Sequence, residues 1–260
     1  MKVLALFLFG FLMTQAVCAA ELFGTVEAVS GIATVSSADG SSQPVTTGLK
    51  IMTGQSIQTA ADGEVHIVTE DSGLLALRPN SSFRIDRYQA KGESSDEVAF
   101  SLLKGALRSI TGWIAKRNPA VYRLNTPTAT IGVRGTDHET TVIDNASGND
   151  RPGTFDTVLE GVTVMQTPHG NVEVHPGEHA FASRTPDTAP ILLARSPDFW
   201  GHRTLKIENR IQQRKETLVQ SIRQRLEERR ENPGERNPDA NKREPKKNKI
   251  EQRAHARRNP

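Results

Sequence analysis

Between residues 22 and 184, short apolar runs alternate with polar residues and are set off by glycine. The runs 24–29, 31–35, 64–68 and 161–165 are rich in Val, Ile, Ala and Thr. These residue types suit a half-buried pleated surface. In 64–69 the period is two, so Val65, Ile67 and Thr69 fall on one face. Turn signals recur at Asp39-Gly40, Asp62-Gly63, Ser72-Gly73, Pro79-Asn80 and Pro168-His169-Gly170. Their spacing of ~8–12 residues predicts an all-β domain over 22–190, solenoid- or sandwich-like and elongated. No long amphipathic helix interrupts it. Residues 102–107 read equally as a helical turn or as strand–Gly–strand.

A weak internal repeat runs through this region. Aligned on Gly31 and Gly161, the next glycine, Gly40 or Gly170, follows nine positions on in both. The third, Gly48 or Gly177, differs by one position. Two copies predict one strand–turn–strand unit at both ends of the domain, short of a repeat array. The competing reading is that β-hairpins in general look like this.

After residue 195 the pattern changes. Ile207, Ile211, Leu218, Ile222 and Leu226 form a narrow apolar stripe on a highly charged segment. This predicts a basic amphipathic helix over 196–231, opened by Ser196-Pro197-Asp198 and stopped by Asn232-Pro233-Gly234. A strict coiled coil fails where Arg214 and Ser221 occupy seam positions. Residues 232–260 are dominated by Pro, Asn, Lys and Arg, the composition of a disordered basic tail.

Composition sharpens the division. The 260 residues carry a formal net charge of +3, with 36% hydrophobic residues and one cysteine. Residues 21–195 hold 14 Lys/Arg against 20 Asp/Glu, a balance of −6, and 196–260 hold 18 against 10, a balance of +8. An acidic β-domain therefore carries a basic arm. One cysteine excludes a disulfide framework and a multi-cysteine zinc site. At the start, Lys2, an apolar run over 3–13 and the small residues Cys18-Ala19-Ala20 read as a cleavable signal peptide over 1–20. The expected location is periplasmic or secreted. Acylation of Cys18 is the alternative, but Gln15-Ala16-Val17 fits it badly. No run is long enough for a transmembrane helix in the mature chain.

The informative segment is 121–143. It contains Thr126-Pro127-Thr128-Ala129-Thr130-Ile131-Gly132-Val133-Arg134-Gly135-Thr136. Gly132 and Gly135 read as a kink or bulge where backbone meets backbone. The segment resembles the closing motif of the FecR-type domain. Upstream, 24–35, 48–59, 77–81 and 102–107 resemble further steps of that family. The resemblance covers 24–143, with 144–190 as a β-hairpin extension. Gln55 stands where the family has Asp, and His138 where it often has an aromatic. The resemblance implies a periplasmic sensing or interaction fold. It does not carry sigma-factor control with it, because a cleavable signal stands where regulatory members have a cytoplasmic segment and a membrane helix.

Candidate chemistry is sparse. The binding candidates are Arg134, Thr136 and His138. Arg134 has two readings: an exposed guanidinium that takes a carboxylate or phosphate, or one whose fork satisfies backbone carbonyls at the glycine bend. The second weighs more, because a buried charge needs partners. His169, Glu173, His175, Glu178 and His179 form a ligand-like cluster of no defined zinc spacing. Residues 144–150 are oxygen-rich but lack the pattern of a calcium loop. No Gly-x-Ser-x-Gly elbow or His-Glu-x-x-His motif occurs. The expectation is therefore a non-catalytic interaction or signalling domain, without cofactor or metal. Its partner would be an envelope protein, or an anionic envelope surface met by the basic arm, not nucleic acid. The rivals are a metal-binding protein or metal-dependent enzyme using 169–179, and a cell-wall structural adaptor.

Overall fold

A computed structural model describes residues 20–146, 150–185, 188–202, 208–217 and 220. All of the expected leader except Ala20, and the tail 232–260, lie outside the described residues. The chain divides into two compact units, Met1–Glu208 and Asn209–Pro260. In the second, residues 209–217 are helical. Much of the helix expected at 196–231 lies outside the described residues. Its expected start at Ser196 forms a short 3-10 turn, Asp198–His202, instead.

The described part of the first unit is all-β, as the alternation predicts. Its strands are β1 (Leu22–Ser30), β2 (Ala33–Ser36), β3 (Ser42–Pro44), β4 (Lys50–Met52), β5 (Ser56–Thr59), β6 (Glu64–Thr69), β7 (Leu74–Leu77) and β8 (Ser82–Gln89). They continue with β9 (Glu97–Ile110), β10 (Tyr122–Asn125), β11 (Thr130–Ile143), β12 (Gly153–Thr167), β13 (Gly170–Val174), β14 (His179–Ser183) and β15 (Ile191–Leu192). One short helix, α1 (Trp113–Arg117), buries Ile114 and Ala115. It was not expected, because five residues are too few to show a helical period.

The strands form one open sheet with the main path β15-β14-β12-β11-β10-β9-β7-β6-β1-β4. A second arm, β2-β5-β8, joins at β9. Strand β9 makes both arms possible because its two halves pair differently. Residues 97–104 pair with β8, and residues 98–101 also with β10 in parallel. Residues 105–110 pair with β11, and 107–110 also with β7. The change comes at Gly105, whose φ of +82° favours glycine. A Cβ there would lie 2.4 Å from Ser81 Oγ, so strand–Gly–strand is the correct reading of 102–107.

The apolar face closes around aromatic rings. Phe100 on β9 packs 5.4 Å from Phe23 on β1, 5.4 Å from Phe83 on β8 and 5.7 Å from Tyr122 on β10. Burying each phenylalanine contributes on the order of 2 kcal/mol. Val65 and Ile67 of β6 enter this core, as their period predicts. The other face of β6 departs from the half-buried expectation, since Glu64 and His66 are buried too.

The glycine repeat is structural. Gly48 N–H donates to Val26 O at 2.8 Å, Val26 N–H to Leu49 O at 2.9 Å, and Leu49 N–H to Thr46 O at 3.1 Å. At the other end Gly177 N–H donates to Val158 O at 2.9 Å, Val158 N–H to Glu178 O at 3.3 Å, and Glu178 N–H to His175 O at 2.9 Å. The same three-bond clasp thus returns to the first strand of each copy.

Candidate functional site

The motif of residues 126–136 builds a bend. Thr126 N–H donates to Ala129 O at 2.8 Å, and Thr126 Oγ1 accepts from Ala129 N–H at 3.0 Å, closing the Pro127 turn. Strand β11 then pairs with β12, Val133 opposite Thr163 and Gly132 opposite Val164, with Val133 buried. Gly132 is an ordinary ladder residue with room for a side chain, since the nearest atom to a Cβ there is 4.0 Å away. It is not part of the kink. The kink is at Gly135, with φ of +62°, where the register shifts between Arg134 and Asp137. The backbone approach falls on the partner strand: a Cβ on Gly161 would lie 2.3 Å from Gly135 O.

The bend separates the three binding candidates. Arg134 is exposed, and its guanidinium makes no hydrogen bond or ion pair among the described residues. The expectation that it satisfies backbone carbonyls is therefore not met. Thr136 is buried, with its N–H donating to Thr111 Oγ1 at 2.9 Å and its carbonyl accepting from Thr111 N–H at 2.9 Å. His138 is fully buried, with Nδ1 2.9 Å from Asp156 Oδ1. Thr140 and Thr163 donate to the same carboxylate at 2.7 and 2.6 Å. His138 and Thr136 thus hold the fold, and of the three only Arg134 is exposed. Lys116 shares the outside of the bend, exposed beside Gly135.

Past the bend, one sheet face carries buried charge. A cross-strand row runs Ala28, His66, Ala76, Arg108, Glu139, Thr157 and His179, from β1 through β6, β7, β9, β11 and β12 to β14. All seven side chains are buried. Directly paired residues share a face, so register alone puts Arg108 beside Glu139. Arg78, just beyond β7, joins them.

Two guanidiniums organise this face. Arg108 Nε and Nη2 donate to Asp137 at 2.8 and 2.9 Å. Arg78 Nε and Nη2 donate to Glu139 Oε2 at 3.3 and 2.9 Å, and Arg78 Nη1 lies 3.9 Å from Glu64 Oε1. Each arginine has one further donor, Nη1, and both aim it at Glu208. Arg78 Nη1 meets Glu208 Oε2 at 2.6 Å, and Arg108 Nη1 meets Oε1 in a short bond. Burial opposes both positive charges, but the carboxylates outweigh it and hold both arginines above their ordinary pKa. Burial would likewise raise Glu208. The hydrogen bonds and charges of Arg78 and Arg108 overcome this and hold it below the usual carboxylate range.

Residues 55–162 match the family model described as FecR protein. The chain carries a FecR domain. The match begins at Gln55 and runs past the motif into β12. Gln55 does more than an aspartate could: Oε1 accepts from Met52 N–H at 2.9 Å, and Nε2 donates to Ser37 Oγ at 3.0 Å. No curated protein matches the chain. Among solved structures, two crystal structures of a candidate anti-sigma factor from Parabacteroides distasonis, at 1.65 and 2.50 Å resolution, are similar. Each shares 14% identity at a TM-score of 0.40, over 53% of this chain. This chain spans 58% of that protein's length.

Arg78, Arg108, Asp137 and Glu139 of the paired face all lie within the FecR domain, and none of them was singled out from the sequence. The available signal is a charge inside an apolar run, as in Leu77-Arg78 and Ala106-Leu107-Arg108-Ser109-Ile110. The ligand-like cluster of the rival metal reading, beyond the FecR domain, disperses. His175 and Glu173 are exposed and 3.9 Å apart, whereas Glu178 Oε2 accepts from His175 N–H at 2.8 Å. His179 turns away, with Nδ1 2.7 Å from Thr157 Oγ1 and Nε2 2.8 Å from Ser196 Oγ. Among the described residues, no three His, Cys, Asp or Glu side chains are arranged to hold a metal ion. Ser196, thus engaged, does not cap Asp198–His202. The Asp150 carboxylate does, accepting from Asp198 N–H at 3.1 Å and Phe199 N–H at 2.9 Å. Among the described residues, no helix is long and apolar enough to cross a membrane.

Proposed function

We propose that the protein is a non-catalytic FecR-type interaction and signalling domain that works in the periplasm and binds another component of the cell envelope. The FecR match over 55–162 carries this reading. Three further features support it. The leader pattern of residues 1–20 is that of an exported chain. The buried His138, two residues past the motif, is locked in a hydrogen-bonded network away from solvent, as a structural residue would be. The exposed cations Arg134 and Lys116 sit together on a bend fixed by Gly135 and Gly161, which gives a partner a rigid surface to read.

Cell fractionation followed by crosslinked co-isolation of the full chain from envelope extract tests this. The expected result is a periplasmic chain that brings down one envelope component. A cytoplasmic chain, or an envelope extract that yields no partner under crosslinking, contradicts it.

A further inference from the structure

Arg78 and Arg108 look at first like a structural ion network. Their geometry asks more. Asp137 and Glu139 already engage the Nε and Nη2 donors of the two arginines. This leaves one Nη1 on each, and both converge on a single carboxylate, one donor per oxygen. The two guanidinium side chains are 4% and 5% exposed, and their orientation is fixed from behind. The Glu208 side chain is 30% exposed, so the carboxylate sits at the rim where solvent reaches it.

The origin of the groups differs as well. Both arginines and their backing acids lie inside the FecR match, whereas Glu208 stands 46 positions beyond its end at residue 162. The domain therefore supplies a receptor, and a distant stretch of the chain supplies its occupant. The charge balance selects the ligand class. Glu64, Asp137 and Glu139 already bring three acids to two guanidiniums. A monoanion that accepts one bond per oxygen is tolerated there, and a phosphate dianion is disfavoured.

The geometry points to a carboxylate-recognition site at Arg78 and Arg108, filled in the resting chain by Glu208, whose ligand is an acidic side chain of a partner peptide that takes the place of Glu208. This deepens the interaction reading by naming the partner chemistry, and it rests on that reading for the source of the peptide.

The test uses the full chain, its Glu208→Ala and Glu208→Gln variants, and an end-capped alanine pentapeptide with a central Glu, followed by NMR titration. The Glu peptide is expected to bind Glu208→Ala at least ten times more tightly than it binds the parent, and the matching Gln peptide is expected not to bind. Glu208→Ala combined with Arg108→Lys, which keeps a charge opposite Asp137 but lacks Nη1, should lose the binding. Should Glu208→Ala fail to fold, Glu208→Gln carries the test, because the Glu peptide should outcompete its neutral amide. Equal binding of Glu and Gln peptides overturns the proposal, as does no binding to a Glu208 variant that melts cooperatively. Inorganic phosphate binding more tightly than the Glu peptide also overturns it. These measurements need no cell compartment, so their failure is distinct from failure of the envelope reading.

Discussion

Gly161 on β12 lies against the backbone of Gly135 on β11, so that a Cβ on Gly161 would come within 2.3 Å of the Gly135 carbonyl oxygen. Both residues have positive φ, +77° and +62°. The close approach turns the strand pair at the point where Arg134 is exposed and Asp137 enters the charged face. Gly161→Ala is therefore expected to cost about 2–4 kcal/mol, from left-handed strain plus the backbone clash. Gly132→Ala, in the same motif, should cost less than about 1 kcal/mol, since its Cβ has room. Urea unfolding of both variants checks the contrast, and equal losses would contradict it.

The Arg108–Asp137 pair should behave as a buried ion pair. Arg108→Met leaves Asp137, itself 1% exposed, without its fork and is expected to cost about 3–5 kcal/mol. Adding Asp137→Leu should recover much of that loss, because the buried charge that faced the fork is then gone. A double-mutant cycle by denaturant unfolding measures this. Additive losses would show that the two side chains do not depend on each other.

Acid should weaken the Glu208 contact. The folded-state pKa of Glu208 is depressed, so its stabilising contribution is present above the ordinary value of about 4.3. It is lost as pH falls through the depressed value. Glu208→Gln cannot titrate there. The difference in urea midpoint between parent and Glu208→Gln is expected to be constant near neutrality and to shrink below about pH 4. A difference that stays constant down to pH 2 would contradict the ionic contact.

Both tyrosines of the chain should resist ionisation. Burial raises the pKa of Tyr88, whose OH accepts from Asp71 N–H at 2.8 Å and donates to Asp71 Oδ1 at 3.0 Å. Burial also raises that of Tyr122, paired with Ser109. Because both folded values are raised, their contribution to stability is complete below the ordinary value of about 10 and declines above it. Absorbance at ~295 nm is expected to show no tyrosinate at about pH 11 while the fold persists, then both together on alkaline unfolding. A tyrosinate signal from folded protein near pH 10 would contradict this.

Much of the β-architecture was legible, for reasons particular to certain residues. Val65 and Ile67 declared a core face by their period, whereas around Gly105 a helical turn and strand–Gly–strand stayed equally open, because a glycine alone fits both. The glycine triplets Gly31-Gly40-Gly48 and Gly161-Gly170-Gly177 announced the repeated clasp, because positive φ leaves few residue choices. The charged face was not legible. Its members are scattered from Glu64 to Glu208; the register of β6, β7, β9 and β11 brings the strand residues together, and Arg78 and Glu208 join them from outside those strands. His179 misled for the same reason: its sequence neighbours are His175 and Glu178, but its hydrogen-bond partners are Thr157 and Ser196. Thr136 and His138 stood among the binding candidates because alternation cannot show that β11 is covered on both faces.

The central claim is that the FecR domain binds an envelope partner through the bend at Arg134. Photocrosslinking in intact cells from position 116, with and without Arg134→Ala, tests it most directly. The account predicts one envelope adduct with the Lys116 photoprobe, reduced at least tenfold by Arg134→Ala in a protein of unchanged stability. An absent adduct, or one that Arg134→Ala leaves undiminished, would contradict it.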